Sequence, residues 1–205
     1  MTTFPQITIL HTDSIPEEAF SEFVLAISTE RLRLDIKSRE DGGVYAGLEW
    51  LIPTAVIIYI GKSYFDGFLK EMGKDHYTLL KAGFKALRAK LLGPAAPQMA
   101  VVSSAGKATR NQPYSLVYSI MAEGNGSLRF KLLLQREVSE REYDEIINAF
   151  LGFLEAYHSH APEAEFAANM EAPRASGGVV LLAFNLEKKA LEVIDPIPRR
   201  PKNEA

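Results

Sequence analysis

The chain has 205 residues, 47% hydrophobic and 24% charged, with a net charge of −3; these are ordinary proportions for a soluble globular protein with one sizeable core or two small ones. The slightly acidic balance argues against a general nucleic-acid binder, which carries a basic excess. Cysteine is absent, which excludes disulfides, thiolate catalysis, zinc ribbons and iron–sulfur clusters and fits a cytoplasmic location.

The opening MTTFPQITILHTDS has no basic segment followed by a long apolar run, so it is expected to be a first strand and not a signal peptide. No lipidation signal is expected at the C-terminus. Gln6 to Leu10 read as a strand. Ser14 is placed to cap a helix with Pro16 in its first turn, Glu17 and Glu18 at its positive end, and Phe20, Phe23, Val24 and Ile27 on its buried side. Leu32, Leu34 and Ile36 alternate with polar residues, the pattern of a half-buried strand. The first unit is therefore β-α-β.

The stretch LEWLIPTAVIIYIGKSYFDGF is the least ordinary of the chain: it opens almost without charge and turns amphipathic. Pro53 suits the first turn of a helix running to Ile60. The β-branched Val56, Ile57 and Ile58 equally suit a strand, but the helix is the expectation because the residues after Ile60 have helical spacing. Phe65, Phe68, Leu69 and Met72 recur at that spacing, and after Gly73 a second helix runs from about Lys74 to Leu92. It has His76, Leu80, Phe84, Leu87 and Leu91 on one side and Lys74, Lys81, Lys85 and Arg88 opposite. Gly93-Pro94 stops it.

GPAAPQ, residues 93–98, marks the candidate internal joint of what otherwise reads as a single domain over 1–205. Met99 to Ser103 form a candidate strand, followed by a polar loop. Tyr114 to Ala122 and Ser127 to Leu134 pair across Glu123-Gly124-Asn125-Gly126. Ser139 and Glu142 have capping-box spacing and open a helix whose apolar face runs from Tyr143 to Tyr157. Val179 to Phe184 and Ala190 to Ile194 form a last hairpin. Residues 196–205 are expected to trail off as a proline-rich tail. The fold class this order implies is α+β: helices on a largely antiparallel sheet, an N-terminal β-α-β unit and two later hairpins.

Candidate sites are sparse. Residues 46–60 are shorter than the ~20 apolar residues that cross a bilayer and contain Glu49 and Pro53, so a buried core segment is expected. His76 reads as a core histidine, since Asp75 beside it in a helix cannot orient it. His158 and His160, two apart, cannot chelate from one helix face and read as an exposed helix end; no metal and no cofactor is expected. Lys107 and Arg110 lie in a polar loop that could hold an anion, but without phosphate-loop spacing. Charge is asymmetric. Lys62 to Leu92 carry seven Lys or Arg against three acids, and Glu137 to Ala172 carry nine acids against one Arg. The basic stripe Lys74, Lys81, Lys85, Arg88 is therefore expected to be a contact surface, with the acidic helix as its mate in the same chain, in a second copy, or in another protein.

The leading expectation is a non-catalytic protein-interaction or regulatory module, oligomerising or binding another protein. The alternatives are a peripheral membrane contact through the segment 46–92, and an enzyme assembled from sequence-distant residues such as His11, His76 or Arg110. Nucleic acid is the least favoured partner.

Overall fold

A computed structural model of the chain describes residues 5–40, 54–72, 74–94, 96–97, 113–159 and 177–194, the side chains of 71, 72 and 74 excepted. Among these residues the strands are β1 (Ile7–Thr12), β2 (Leu34–Arg39), β3 (Val56–Ile60), β4 (Tyr114–Glu123), β5 (Arg129–Gln135), β6 (Val179–Asn185) and β7 (Ala190–Ile194). They form one sheet in the order β2-β1-β3-β4-β5-β6-β7. The helices are α1 (Ser21–Ile27), α2 (Leu69–Met72), α3 (Lys74–Leu91) and α4 (Glu140–Ser159). A 3-10 turn at Glu17–Phe20 leads into α1, and a π-helical turn at Tyr64–Phe68 leads into α2. The class is α+β, as the sequence implies.

The sheet is evenly mixed and not largely antiparallel. Pairs β1–β2, β3–β4 and β5–β6 are parallel, and β1–β3, β4–β5 and β6–β7 antiparallel. Each parallel pair is joined through a helical connection, as parallel strands require. The register sets Ile36, Ile9, Ile58, Ile120, Leu132, Leu182 and Val193 side by side in one row across all seven strands. That row belongs to the main core, which also takes Phe23 from α1, Phe84 from α3 and Phe150 from α4. The described helices therefore share one face of the sheet.

Three local expectations are corrected. Val56–Ile60 is a central strand and not the end of a helix. Its apolar run continues unbroken because a central strand is covered on both faces, and β-branched residues fit that setting better than a helix. Pro53 and Trp50 lie outside the described residues. The N-cap position is Pro16 and not Ser14: the Ser14 hydroxyl meets that of Thr12, and the 3-10 turn begins without a side-chain cap. His158 is buried and not an exposed helix end, because it lies on the same side of α4 as Leu151 and Leu154. The candidate strand 99–103, His160 and the tail 196–205 lie outside the described residues. Across residues 93–98, β3 and β4 are direct parallel neighbours.

The topology has an internal order that the sequence does not display. Units β1-α1-β2 and β3-α3-β4 are exchanged by a two-fold axis normal to the sheet between β1 and β3. Their helices α1 and α3 run antiparallel, since Glu22 meets Lys90 at one end and the Ile27 carbonyl meets His76 at the other. Gly83 sits at their crossing. A Cβ there would lie 2.8 Å from the Phe23 ring and 2.9 Å from Ile27, closer than packed atoms approach. The connection β5-α4-β6 steps the opposite way relative to its strand direction while its helix stays on the same face. Its hand is thus opposite to that of the first two, so the sheet contains at least one left-handed crossover, against the strong right-handed rule.

Candidate functional site

Of the predicted basic stripe, Lys85 and Arg88 meet the start of α4. Lys85 forms an ion pair with Glu140, the first residue of α4. Each partner's hydrogen bond to the other holds the lysine pKa up and the carboxyl pKa down. Arg88 donates from Nη2 to the Val138 carbonyl at 2.7 Å, while its Nε is buried without a hydrogen-bond partner. Lys81 places Nζ 4.4 Å from the centre of the Tyr77 ring, a cation–π contact. Lys74 begins α3, but its side chain, like all of Lys107 and Arg110, lies outside the described residues. The stripe and the acidic helix thus meet inside the chain through Lys85 and Arg88.

The start of α4 is built from the capping box. The Ser139 hydroxyl accepts from the Glu142 amide at 3.2 Å, and the Glu142 carboxylate accepts from the Ser139 amide at 2.8 Å. Hydrogen bonding from the Ser139 side chain first, and from its amide second, holds the Glu142 carboxyl below its usual pKa. The box fixes Glu140 next to Lys85.

The buried histidines are held by structural partners. His76, 1% exposed, donates from Nε2 to the Ile27 carbonyl at 2.8 Å, leaving Nδ1 to accept from the Tyr64 hydroxyl at 3.1 Å. This is the satisfied core histidine that its position on the apolar face implies. His158 donates from Nε2 to the Glu123 carbonyl at 3.0 Å and stacks on Phe65 at 4.6 Å. Its Nδ1 faces Asp66 at 4.0 Å. His11 donates from Nδ1 to the Thr12 carbonyl at 3.0 Å, and its buried Nε2 has no hydrogen-bond partner, with the Glu17 carboxylate 4.0 Å away. Ser38 pairs with His11 in register, but its hydroxyl donates to Asp13. The residue types of a nucleophilic triad are therefore adjacent with the wrong wiring, since a triad needs the serine on the histidine and the histidine on the acid. No group of three or more metal-ligating side chains occurs among the described residues.

The other face of the sheet holds what sequence reasoning missed. Lys131, in the middle of β5, is 3% exposed. Burial first, then the Arg39 guanidinium, pulls its pKa down to about 7. Arg39 donates to the Thr54 carbonyl, and the Thr54 and Ser119 hydroxyls share a hydrogen bond of 2.6 Å. Leu116, Leu133, Val179 and Leu181 form a small apolar cluster on this side. The available signal was the lone lysine in Phe130-Lys131-Leu132-Leu133-Leu134, a run whose every other residue is apolar.

Two large apolar side chains stand in solvent among the described residues: Leu25 on α1, 81% exposed, and Leu79 on α3, 40% exposed. Both lie on the packed α1–α3 pair; Lys90 shares the face of Leu79 by helical spacing and pairs with Glu22 of α1. No described helix is long and apolar enough to cross a membrane. Comparison with known proteins finds no matching family model, no matching curated protein and no matching solved structure.

Proposed function

We propose that this chain is a non-catalytic protein-interaction module and that it binds through the outer side of α1 and α3. The observation that supports this most is Leu25, left in water on a helix whose Phe23 and Ile27 are fully buried. Burying a leucine side chain is worth roughly 1.5–3 kcal/mol. Exposed leucines favour a partner that presents apolar groups of its own, which the same leucines of a second copy do. Sedimentation velocity over a concentration series tests the reading. A Leu25→Glu, Leu79→Glu variant should keep the wild-type unfolding midpoint and lose self-association. A wild type that stays monomeric, or a variant that associates unchanged, removes this surface from consideration. Flotation with anionic liposomes distinguishes protein contact from membrane contact through the segment 46–92.

Lys131 supports a second reading, an enzyme with a site assembled from sequence-distant residues, because a buried lysine that titrates near neutrality serves as a nucleophile or base. Accelerated labelling of Lys131 by an amine-directed reagent near neutral pH supports that reading; labelling no faster than that of the surface lysines removes its basis.

A further inference from the structure

The π-helical turn Tyr64–Phe68 is gripped from two sides by histidines of different helices. His76 of α3 joins it to α1, through the Tyr64 hydroxyl on Nδ1 and the Ile27 carbonyl on Nε2. The Phe68 ring meets the same imidazole edge to face at 4.6 Å. On the other side, His158 of α4 stacks on Phe65 and ties to the end of β4 through the Glu123 carbonyl. π-helical turns interrupt the regular hydrogen-bond ladder and recur where a chain has a task beyond packing.

One of these bonds requires a neutral imidazole: the donation from the Tyr64 hydroxyl to His76 Nδ1. In His76 the two partners fix the tautomer: Nε2 carries the proton and Nδ1 the lone pair. A second proton on Nδ1 turns an acceptor into a donor. Tyr64 must then reverse its hydroxyl and leave its own hydrogen unpartnered in a dry site. Among the described residues, no charged group acts on His76 to offset the charge. The titratable groups beside His76 among the described residues are Tyr64 in the turn and Tyr77 and Asp75 in α3; α1 contributes a carbonyl, and none of the described carboxylates perturbs the imidazole. His158 differs. Asp66 in the turn, Glu123 at the end of β4 and Lys62 before the turn all act on it, and Asp66 stands ready to receive its charge. Burial is the main influence on both histidines and lowers both pKa values.

We propose that the turn Tyr64–Phe68 is a latch released by acid, with His76 as the point of release. Neutral His76 joins the turn to the end of α1; protonated His76 keeps its bond to Ile27 but no longer accepts from Tyr64, and the aromatic side chains of Tyr64, Phe65 and Phe68 become accessible while the sheet stays intact. Linkage sets the sign. A histidine whose folded pKa lies below 6.5 contributes its full stability above that value, and the contribution is lost as the pH falls through the folded pKa.

Hydrogen exchange of the full chain at about pH 7.5 and about pH 5, each normalised to the intrinsic amide rate, tests the proposal. Amides of residues 61–70 should lose protection by about tenfold for each pH unit between the unfolded and folded pKa values. Amides of β1, β4 and β5 should not. In His76→Gln the side-chain amide can donate to Ile27 and accept from Tyr64 without titrating, so protection should be equal at both pH values. In His158→Gln the acid opening should persist. A wild type whose turn stays protected at the lower pH, or a His76→Gln variant that opens like the wild type, overturns the latch. If His76→Gln does not fold, the wild type decides through the NMR titration of the His76 ring protons. Titration in step with the loss of protection supports the latch; opening while His76 stays neutral, or titration with the turn closed, overturns it.

Discussion

Lys131 shows how much one side chain can weigh. A lysine in water is charged at neutral pH, and the unfolded chain keeps it so. In the folded protein its pKa falls from 10.5 to about 7, chiefly through burial. Folding near neutral pH therefore works against the unfolded chain's bound proton. The penalty is absent above 10.5, grows as the pH falls toward about 7, and is constant below that. Replacing Lys131 with Met removes the titrating group and keeps most of its length. Urea unfolding across this range should show a variant that is more stable than wild type near neutral pH and has a flatter pH profile. Coincident profiles would mean that the lysine is charged at no cost where it stands. Phe68 makes the complementary case. It packs against Tyr64 and His76, and Phe68→Ala should cost on the order of 3–5 kcal/mol; an unchanged unfolding midpoint would place Phe68 outside the core. The core role of Phe68 could be read from its helical spacing with Phe65 and Leu69. The burial of Lys131 left only the mark of a lysine in an otherwise apolar run, and only the whole sheet shows that the face away from the helices is also covered.

At the scale of elements, strong local chemistry was legible and weak local chemistry was not. The capping box Ser139–Glu142 begins α4 with both of its reciprocal bonds formed. Ser139→Ala should cost about 1 kcal/mol, and because the cap positions Glu140, the Lys85 ion pair should weaken with it. The two effects are separable: thermal unfolding reads the first, and loss of the salt dependence of stability in the variant reads the second. An unchanged midpoint in Ser139→Ala would mean that tertiary packing alone holds the helix end. The hairpin at Gly124–Gly126 was equally readable, since Gly126 takes a positive φ of 64° that favours glycine. The error at Val56–Ile60 arose where local preference and tertiary setting conflict: a proline and a following helix pointed one way, and a β-branched run buried on both sides settled it the other way. The N-terminal β-α-β unit gives the parallel pair β1–β2, but the parallel pairs β3–β4 and β5–β6 were missed for a related reason, because the partner of a strand across a helical connection is chosen by packing over long separations and leaves no local mark. The basic stripe was legible as a stripe. Its use was not, since whether Lys85 and Arg88 face water or α4 depends on where α4 docks.

At the scale of the molecule, the change of hand between the crossovers coincides with a division of the chain. Every strand up to β4 lies on one side of the β4–β5 ladder, and every strand after it on the other. The polypeptide passes from one side to the other at the turn Gly124–Leu128. Each part winds in its own sense, so neither is a continuation of the other; they resemble two separately written halves bound along a common spine. The binding is specific, because Tyr157 of the second part accepts from the Asn125 amide and His158 donates to the Glu123 carbonyl. A chain cut between residues 125 and 126 should therefore reassemble. Co-expressed fragments 1–125 and 126–205 should co-purify at one-to-one stoichiometry with the circular dichroism of the intact protein, and each alone should be insoluble or unfolded, having an exposed apolar strand edge. Failure to associate would show that the covalent turn, and not the fit of the two halves, dictates how they meet.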